Sequence, residues 1–244
     1  FRAAKALCLN FQHEIGISGR QTCLSSSFFN SNPPLMQLVL ASNNAGKLAE
    51  LRAMFDGLPV QLLRQSELGV GEAEEPHRTF VENALAKARH AAAATGLPAL
   101  ADDAGLCLAA WGGLPGVDTA LFSQQRYGIP RGQDEQGNDN NASAILRAME
   151  GEANRHAAMV SVLVALRHAD DPEPLIAIGR VRGLLTTARI GQGGFGVDPI
   201  FYLPEYGQTF AQMPAELKNQ LSHRGRAAAQ MRQLIADNWL AEQA

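Results

Sequence analysis

The distribution of apolar and polar residues predicts that strands and helices alternate along most of the chain. The apolar run 38–41 predicts a buried strand. Residues 42–44, Ser-Asn-Asn, follow as a turn, and from Gly46 the apolar residues recur at helical spacing. The sequence therefore predicts a strand, a tight turn and a helix in direct succession, with a second short strand at 60–63.

The rest of the chain continues this alternation. Thr79 and Glu82 have the spacing of a capping box, which predicts a helix from residue 79 to about 95 that is closed by Gly96. Residues 98–101 predict a strand that ends in the pair Asp102-Asp103. The other expected elements are a loop at 111–116, a polar and mobile stretch at 123–141, a short helix at 142–149, two long, partly antiparallel strands at 157–166 and 175–185, a helix at 214–221 interrupted at 222–225, and a C-terminal helix from 226 to about 240. Such an alternation is typical of the α/β class.

The first 35 residues differ from this pattern. They have no regular period, they contain a run of three serines, and the first methionine of the chain is Met36. We expect residues 1–35 to be an extension that is disordered or not native to the domain, although their basic and serine residues also resemble a transit peptide. The predicted single domain is 36–244.

Composition and charge exclude several classes of protein. Hydrophobic residues make up 46% and charged residues 18% of the chain, which is ordinary for a globular protein. No apolar run reaches the roughly 18 residues that a membrane span needs. The net charge of −3 provides no basic field that would attract nucleic acid. The three cysteines have no metal-ligand spacing, so we expect an intracellular protein without disulfides or zinc.

One lysine has an unusual position. Lys47 falls in the first turn of the first predicted helix, where the positive end of the helix dipole repels a cation. A bound anion would remove this conflict, because the turn and the helix start also point N–H groups at it. The alternative is an ordinary loop with a solvated lysine.

Carboxylates form a second group of candidates. Glu74 and Glu75 precede Pro76, and they are either a solvated loop or the hard oxygen ligands that Mg²⁺ prefers. Asp102 and Asp103 point to opposite faces if the strand is extended, so we expect them to differ in role. They follow a strand, where ligands of open α/β sheets gather, although an aspartate there can also cap a turn.

Aromatic and basic residues complete the candidate chemistry. Residues 191–196 match G-x-G-x-x-G, but no helix follows, so we interpret them as a loop that presents Phe195 for stacking on a base. Lys218, His223 and Arg224 form a basic cluster in a nearly neutral chain, although each alone would be a surface residue. Thr79, Asn83 and Lys87 share a helix face, which is either an exposed stripe or the wall of a phosphate pocket.

Five segments in order resemble the Ham1 family of inosine triphosphate pyrophosphatases. They are Ser42-x-Asn44-x-x-Lys47, Thr79-Phe80-x-Glu82-Asn83-Ala84-x-x-Lys87, Ala101-Asp102-Asp103-x-Gly105-Leu106, Gly194-Phe195-Gly196-x-Asp198-Pro199 and Ser222-His223-Arg224-Gly225. The resemblance covers the chain from Met36 to the C-terminal helix. It implies an α/β fold of two lobes, with a long mixed sheet flanked by helices and a cleft between the lobes. It also implies a cytoplasmic homodimer that uses Mg²⁺.

The resemblance assigns roles to individual residues. It makes Asp103 the catalytic base and a Mg²⁺ ligand together with Glu74. It places Lys87 near the triphosphate and Phe195 on the base. The phosphates would be held by Ser42, Asn43, Asn44, Ala45, Gly46 and Lys47. The base pocket would be shaped by Gly196, Val197 and Asp198, with Lys218, His223 and Arg224 at the purine edge.

The chain also departs from the family in three places. Ala104 is a substrate-site position where many members have Ser, Leu121 stands where many have Arg, and the stretch 123–141 is longer than usual. The expected reaction is Mg²⁺-dependent hydrolysis of ITP, dITP or XTP to the monophosphate and pyrophosphate. Alternatives are the related septum-inhibitor type of pyrophosphatase and a nucleotide sensor without turnover. A P-loop NTPase is disfavoured because Lys47 is followed by Leu48 and the first glycine of that motif is missing.

Overall fold

The computed structural model of the protein describes residues 35–241, so the predicted extension lies, apart from Leu35, outside the described residues. The strands are β1 (Met36–Leu40), β2 (Val60–Arg64), β3 (Ala99–Leu108), β4 (His156–Leu166), β5 (Leu175–Leu185), β6 (Phe201–Leu203) and β7 (Gln208–Thr209). The helices are α1 (Ala45–Phe55), α2 (Phe80–Thr95), α3 (Phe122–Tyr127), α4 (Asn140–Ala148), α5 (Ala215–Leu221) and α6 (His223–Ile235), which continues as a π-helical turn (Ala236–Leu240). None of the helices in this part of the chain is long and apolar enough to cross a membrane.

The strands of residues 35–241 form one mixed sheet in the order β2-β1-β3-β4-β5-β6-β7. β1 runs parallel to both β2 and β3, and every later pair is antiparallel. β1 contacts β3 only at two register positions, Val39↔Ala99 and Leu40↔Leu100, whereas β3 pairs with β4 along its whole length. The long strand β3 therefore joins a parallel half of the sheet to an antiparallel half.

Capping residues determine where α1 begins and where α2 begins and ends. The side chain of Asn44 accepts a hydrogen bond from the backbone of Lys47, which caps α1. Thr79 caps α2, because its hydroxyl accepts a hydrogen bond from the backbone N–H of Glu82, while the Glu82 carboxylate accepts from that hydroxyl and not from the backbone N–H that a full capping box would use. The left-handed Gly96, with φ of 68°, ends α2 at the predicted place.

The apolar residues are buried in two lobes. In the first lobe, α1 and α6 pack on one face of the sheet, and the small alanines of α2 pack closely on the other. In the second lobe, α4 and β6 enclose a separate cluster in which the rings of Phe201 and Phe210 stack 5.2 Å apart. The predicted fold class, a two-lobed α/β protein with a long mixed sheet flanked by helices, is confirmed.

Three predicted boundaries were wrong. The strand predicted to end at the aspartate pair continues to Leu108, because β4 supplies hydrogen-bond partners along this whole stretch. The stretch 123–141, predicted to be polar and mobile, contains most of α3 and the first residues of α4. The interruption predicted at 222–225 is present but is confined to Ser222, whose side chain accepts a hydrogen bond from Gly225 and caps α6, so the helix begins at His223.

Candidate active site

A cleft of about 370 Å³ lies where the parallel half of the sheet meets the antiparallel half. Its floor is the middle of β3, and residues from both lobes form its walls. The predicted site residues that line it are Ser42, Asn43, Asn44, Gly46, Lys47, Lys87, Asp103, Ala104, Phe195, Gly196, Val197, Asp198, His223 and Arg224. Ala45, Glu74 and Lys218 are not among its lining residues.

The loop between β1 and α1 forms one wall and is fixed by its own side chains. The hydroxyl of Ser42 accepts a hydrogen bond from the backbone of Asn44 at 3.2 Å. The guanidinium of Arg64 in β2 donates to the carbonyl of Asn43 at 2.6 Å. Gly46 contacts the opposite wall, since a Cβ at this position would lie 2.8 Å from the ring of Phe195. The loop is therefore held in one conformation with its helix start facing the cleft.

Lys47 has a partner that neither interpretation of the sequence included. Its ammonium lies 3.0 Å from Oδ2 of Asp102 and 3.3 Å from the carbonyl of the same residue. Burial lowers the pKa of Lys47, and the carboxylate of Asp102 opposes this shift. The buried carboxylate of Asp102 therefore offsets the repulsion between Lys47 and the helix dipole. A bound anion would offset it further.

Asp102 is the centre of a buried charge network. Its side chain is fully buried, and it accepts hydrogen bonds from the hydroxyl of Ser161 at 2.6 Å and from Arg224 at 3.0 and 3.1 Å. Burial alone would raise the pKa of Asp102, but Arg224 and Lys47 outweigh it and hold this pKa well below its usual range. Asp102 is therefore ionised at neutral pH and joins two walls of the cleft.

Asp103 has a different environment, as expected for adjacent residues of a strand. Its Oδ1 lies 2.8 Å from the ammonium of Lys87. Its Oδ2 is buried and has no hydrogen-bond partner among the described residues. Burial raises the pKa of Asp103 to about 6, although the ammonium of Lys87 opposes the shift. The two aspartates therefore differ in partners and in proton affinity.

The second carboxylate beside Lys87 belongs to Glu75 and not to Glu74, the residue that the resemblance implied as a metal ligand. Oε2 of Glu75 lies 2.8 Å from the ammonium of Lys87, and Glu75 lines the cleft. Glu74 does not line the cleft and makes no ion pair with Lys87. Burial lowers the pKa of Lys87, but the carboxylates of Asp103 and Glu75 outweigh it and raise this pKa.

Lys218 and Arg224 share a residue that the sequence reasoning missed. Glu50 of α1 accepts from Lys218 at 2.7 Å and from Arg224 at 2.6 Å. Lys218 also lies 2.6 Å from Asp198, which in turn accepts from the backbone N–H of Phe195 at 2.8 Å. Because Glu50 lies three residues after Lys47, helical periodicity could have placed it on the same face of α1.

The basic cluster lies beside the ring of Phe195 and is buried instead of exposed. The ammonium of Lys218 lies 4.8 Å and the guanidinium of Arg224 5.7 Å from the centre of this ring. Burial holds the pKa of His223 well below its usual value, so the imidazole is neutral. Its Nδ1 is buried and has no hydrogen-bond partner within residues 35–241. A neutral imidazole can offer both a donor and an acceptor to a ligand.

The long stretch 123–141 contributes to the cleft, which the sequence did not indicate. Gln133 pairs with Asp139, and this hairpin is part of the second lobe's wall. Arg131, Asp139 and Asn141 also line the cleft, whereas Leu121 does not. The cleft thus combines buried ion pairs, an aromatic ring and a helix start, which suits a phosphorylated ligand that carries a ring.

Comparisons with known proteins agree with this arrangement. The sequence model of the Ham1 family matches residues 38–234. A protein of Paracidovorax citrulli named dITP/XTP pyrophosphatase is 61% identical over 204 residues, which cover 84% of this chain and 100% of that one. A protein of Verminephrobacter eiseniae with the same name is 62% identical over 205 residues, with the same coverage of both chains. The solved structure of a HAM1 protein from Coxiella burnetii is 39% identical, with a TM-score of 0.73, and covers 83% of this chain and 99% of that one.

The match extends over nearly all of the described chain and over nearly the full length of these relatives. The chain therefore belongs to the Ham1 family.

Proposed function

We propose that this protein hydrolyses purine nucleoside triphosphates such as ITP, dITP and XTP to the monophosphate and pyrophosphate, with Mg²⁺ as cofactor. The class of activity is supported by membership of the Ham1 family and by the relatives named dITP/XTP pyrophosphatase. The observation that carries the proposal is Asp103, a buried carboxylate with one oxygen that has no hydrogen-bond partner within residues 35–241, in the same cleft as a helix start that can receive phosphates.

The carboxylates of the cleft fit a divalent cation. Oδ2 of Asp103 is a buried acceptor with no donor in the described part of the chain, and Glu75 binds the same Lys87 ammonium as Asp103 does. Residues 35–241 contain no group of three or more His, Cys, Asp or Glu side chains that would enclose a metal. Mg²⁺ commonly binds to one or two carboxylates and completes its shell with water and substrate phosphates. We therefore propose Glu75 and Asp103 as its protein ligands, and the metal would neutralise charge on the phosphates.

Charge balance also supports a cationic cofactor. The carboxylates that line the cleft outnumber its cations: they are Glu72, Glu75, Asp102, Asp103, Asp139 and Asp198, against Lys47, Lys87, Arg131 and Arg224. A triphosphate adds several negative charges. Because phosphoryl transfer depends mainly on positioning and charge neutralisation, the protein's own charges are insufficient here.

Residues of the chain itself would bind the phosphates and activate the attacking water. The N–H groups at the start of α1 and the ammonium of Lys47 would hold phosphate oxygens. Asp103 would orient the attacking water and accept its proton. Burial raises the pKa of Asp103 to about 6, which favours proton acceptance, whereas Mg²⁺ at this carboxylate would lower the pKa and leave orientation of the water as its main role.

The other end of the cleft would select the base. Phe195 supplies a ring for stacking, and Arg224 is a donor whose orientation is fixed by Glu50 and Asp102. A purine with a 6-keto oxygen offers an acceptor there, whereas the 6-amino group of adenine is a donor and would leave buried groups unpaired. We therefore propose a preference for ITP and XTP over ATP.

The test is a panel of purine and pyrimidine triphosphates, incubated with the protein and Mg²⁺, with identification of the phosphate product. We expect rapid release of pyrophosphate from ITP, dITP and XTP, slow release from ATP, and loss of activity on chelation of the metal. A protein that binds ITP without converting it would be a sensor, and that result would reject the proposal.

The family resemblance further suggests a homodimer that works in the cytoplasm. The charge of −3 and the charged cleft give no reason to expect nucleic acid as a partner. Sedimentation equilibrium of the purified protein would test the dimer directly.

A further inference from the structure

We propose that Lys87 and the divalent cation compete for the same two carboxylates, so that the metal binds tightly only when a nucleotide draws the Lys87 ammonium away. The inference rests on the proposed function only in taking Glu75 and Asp103 as the metal ligands. It concerns the order in which the site is filled, which the reaction itself does not fix.

The ammonium of Lys87 occupies the place that a cation bridging these carboxylates would take. It lies 2.8 Å from Oε2 of Glu75 and 2.8 Å from Oδ1 of Asp103, and the side chain of Lys87 is only 10% exposed. Each carboxylate gives the lysine one oxygen. The remaining oxygen of Asp103, Oδ2, is buried and has no hydrogen-bond partner among residues 35–241, so a cation that displaced the ammonium could use both oxygens of this carboxylate.

The bridge is built into the fold, since the loop that carries Glu75 is fastened to α2. One turn before Lys87, the side chain of Asn83 makes two hydrogen bonds to the backbone of His77, at 3.0 and 3.1 Å. These bonds hold the loop beside the helix that presents the lysine. The position of Lys87 is set by α2, and that of Glu75 by the loop that Asn83 holds against α2. Asp103 is fixed separately by the pairing of β3 with β4.

A metal ion and the Lys87 ammonium cannot both bind to Glu75 and Asp103 without strong electrostatic repulsion. A metal at Glu75 and Asp103 and an ammonium at hydrogen-bond distance from both would repel each other strongly in a partly buried setting. The lysine can leave only if it gains another anion, and triphosphate oxygens on the facing wall would provide one. Nucleotide and metal binding should then strengthen each other, and this coupling must be reciprocal.

The test is direct binding of Mn²⁺, as a paramagnetic probe, to the protein without nucleotide. We expect Lys87→Met to bind Mn²⁺ at least ~10-fold more tightly than the unmodified protein, which lies within the usual range for coupled sites. Lys47→Met is the matched control, because it removes the same charge from the same cleft. The ammonium of Lys47 pairs with Asp102 and not with the proposed metal ligands. This variant should strengthen binding much less.

Further variants identify the ligands and protect the test against misfolding. Adding Glu75→Gln to Lys87→Met should abolish the gain, whereas adding Glu74→Gln should leave it intact. Lys87→Gln keeps a hydrogen-bond donor without the charge and should behave like Lys87→Met if the methionine variant folds poorly. The unmodified protein should regain tight Mn²⁺ binding when a nonhydrolysable ITP analogue is added.

Two results would overturn the inference: equal gains in Lys87→Met and Lys47→Met, which would reflect net charge alone, or no gain in either Lys87 variant. These outcomes are independent of the proposed function. Release of pyrophosphate from ITP without any gain in Mn²⁺ binding refutes only the competition, and a clear gain in a protein that does not hydrolyse ITP refutes only the activity.

Discussion

Replacing Asp102 and Asp103 separately by asparagine should separate stability from catalysis. In Asp102→Asn the shape is kept but the charge between Lys47 and Arg224 is lost. Arg224 retains Glu50, whereas Lys47 is left with one carbonyl at 3.3 Å. Breaking a buried ion pair costs about 3 to 5 kcal/mol, and the retained partner favours the lower end of this range. For a domain of this size, about 3 kcal/mol corresponds to a fall in Tm of roughly 6 to 12 °C.

Asp103→Asn should have the opposite profile. Burial already disfavours the charged form of Asp103, and Lys87 retains Glu75, so we expect a change in stability within about 1 kcal/mol. Because the variant lacks the base, kcat should fall at least about 100-fold. Urea unfolding and steady-state kinetics on both variants measure the two quantities. Near-normal turnover in Asp103→Asn, together with inactive but stable Asp102→Asn, would reverse the assignment of the two carboxylates.

Four further predictions concern the cleft and the chain's start. Glu75→Gln should raise the Mg²⁺ concentration needed for half-maximal activity while Glu74→Gln leaves it unchanged; an equal effect would restore Glu74 as a ligand. Arg224→Ala should lower kcat/KM for ITP far more than for ATP, and equal losses would make it a phosphate or structural residue. Since burial raises the pKa of Asp103 to about 6 in the metal-free protein, its ionised fraction, followed by carbon-13 NMR of the side-chain carboxyl group, should fall as pH drops through about 6; a midpoint near pH 4, as for an ordinary aspartate, would contradict this. Removing residues 1–35 should leave activity and Tm nearly unchanged, and a large fall in Tm would show that the segment docks.

Local patterns in the sequence were sufficient for much of the fold. The capping-box pattern of Thr79 and Glu82 placed the start of α2 at its N-cap Thr79, and Gly96 placed its end. The long apolar runs predicted β4 and β5 within one residue at each end. These features depend on residues within a few positions of each other, so a short window contains the information.

Features that depend on distant residues could not be predicted in the same way. β3 continues past its aspartates because β4, more than fifty residues later, pairs with it; Asp103, for example, lies opposite Val162. Arg224 meets Glu50 across 174 positions of the chain. The difference between Glu74 and Glu75 depends on how an irregular loop is fastened to α2 by Asn83. No periodic pattern encodes these contacts.

The most direct test of the central claim is the identity of the phosphate product released from ITP. Phosphorus NMR of a reaction with Mg²⁺ should show inosine monophosphate and pyrophosphate in equal amounts, and Asp103→Asn from a parallel preparation should show almost none of either. Stoichiometric orthophosphate from the unmodified protein, abolished in the same variant, would contradict the account, because cleavage would then occur at the terminal phosphate.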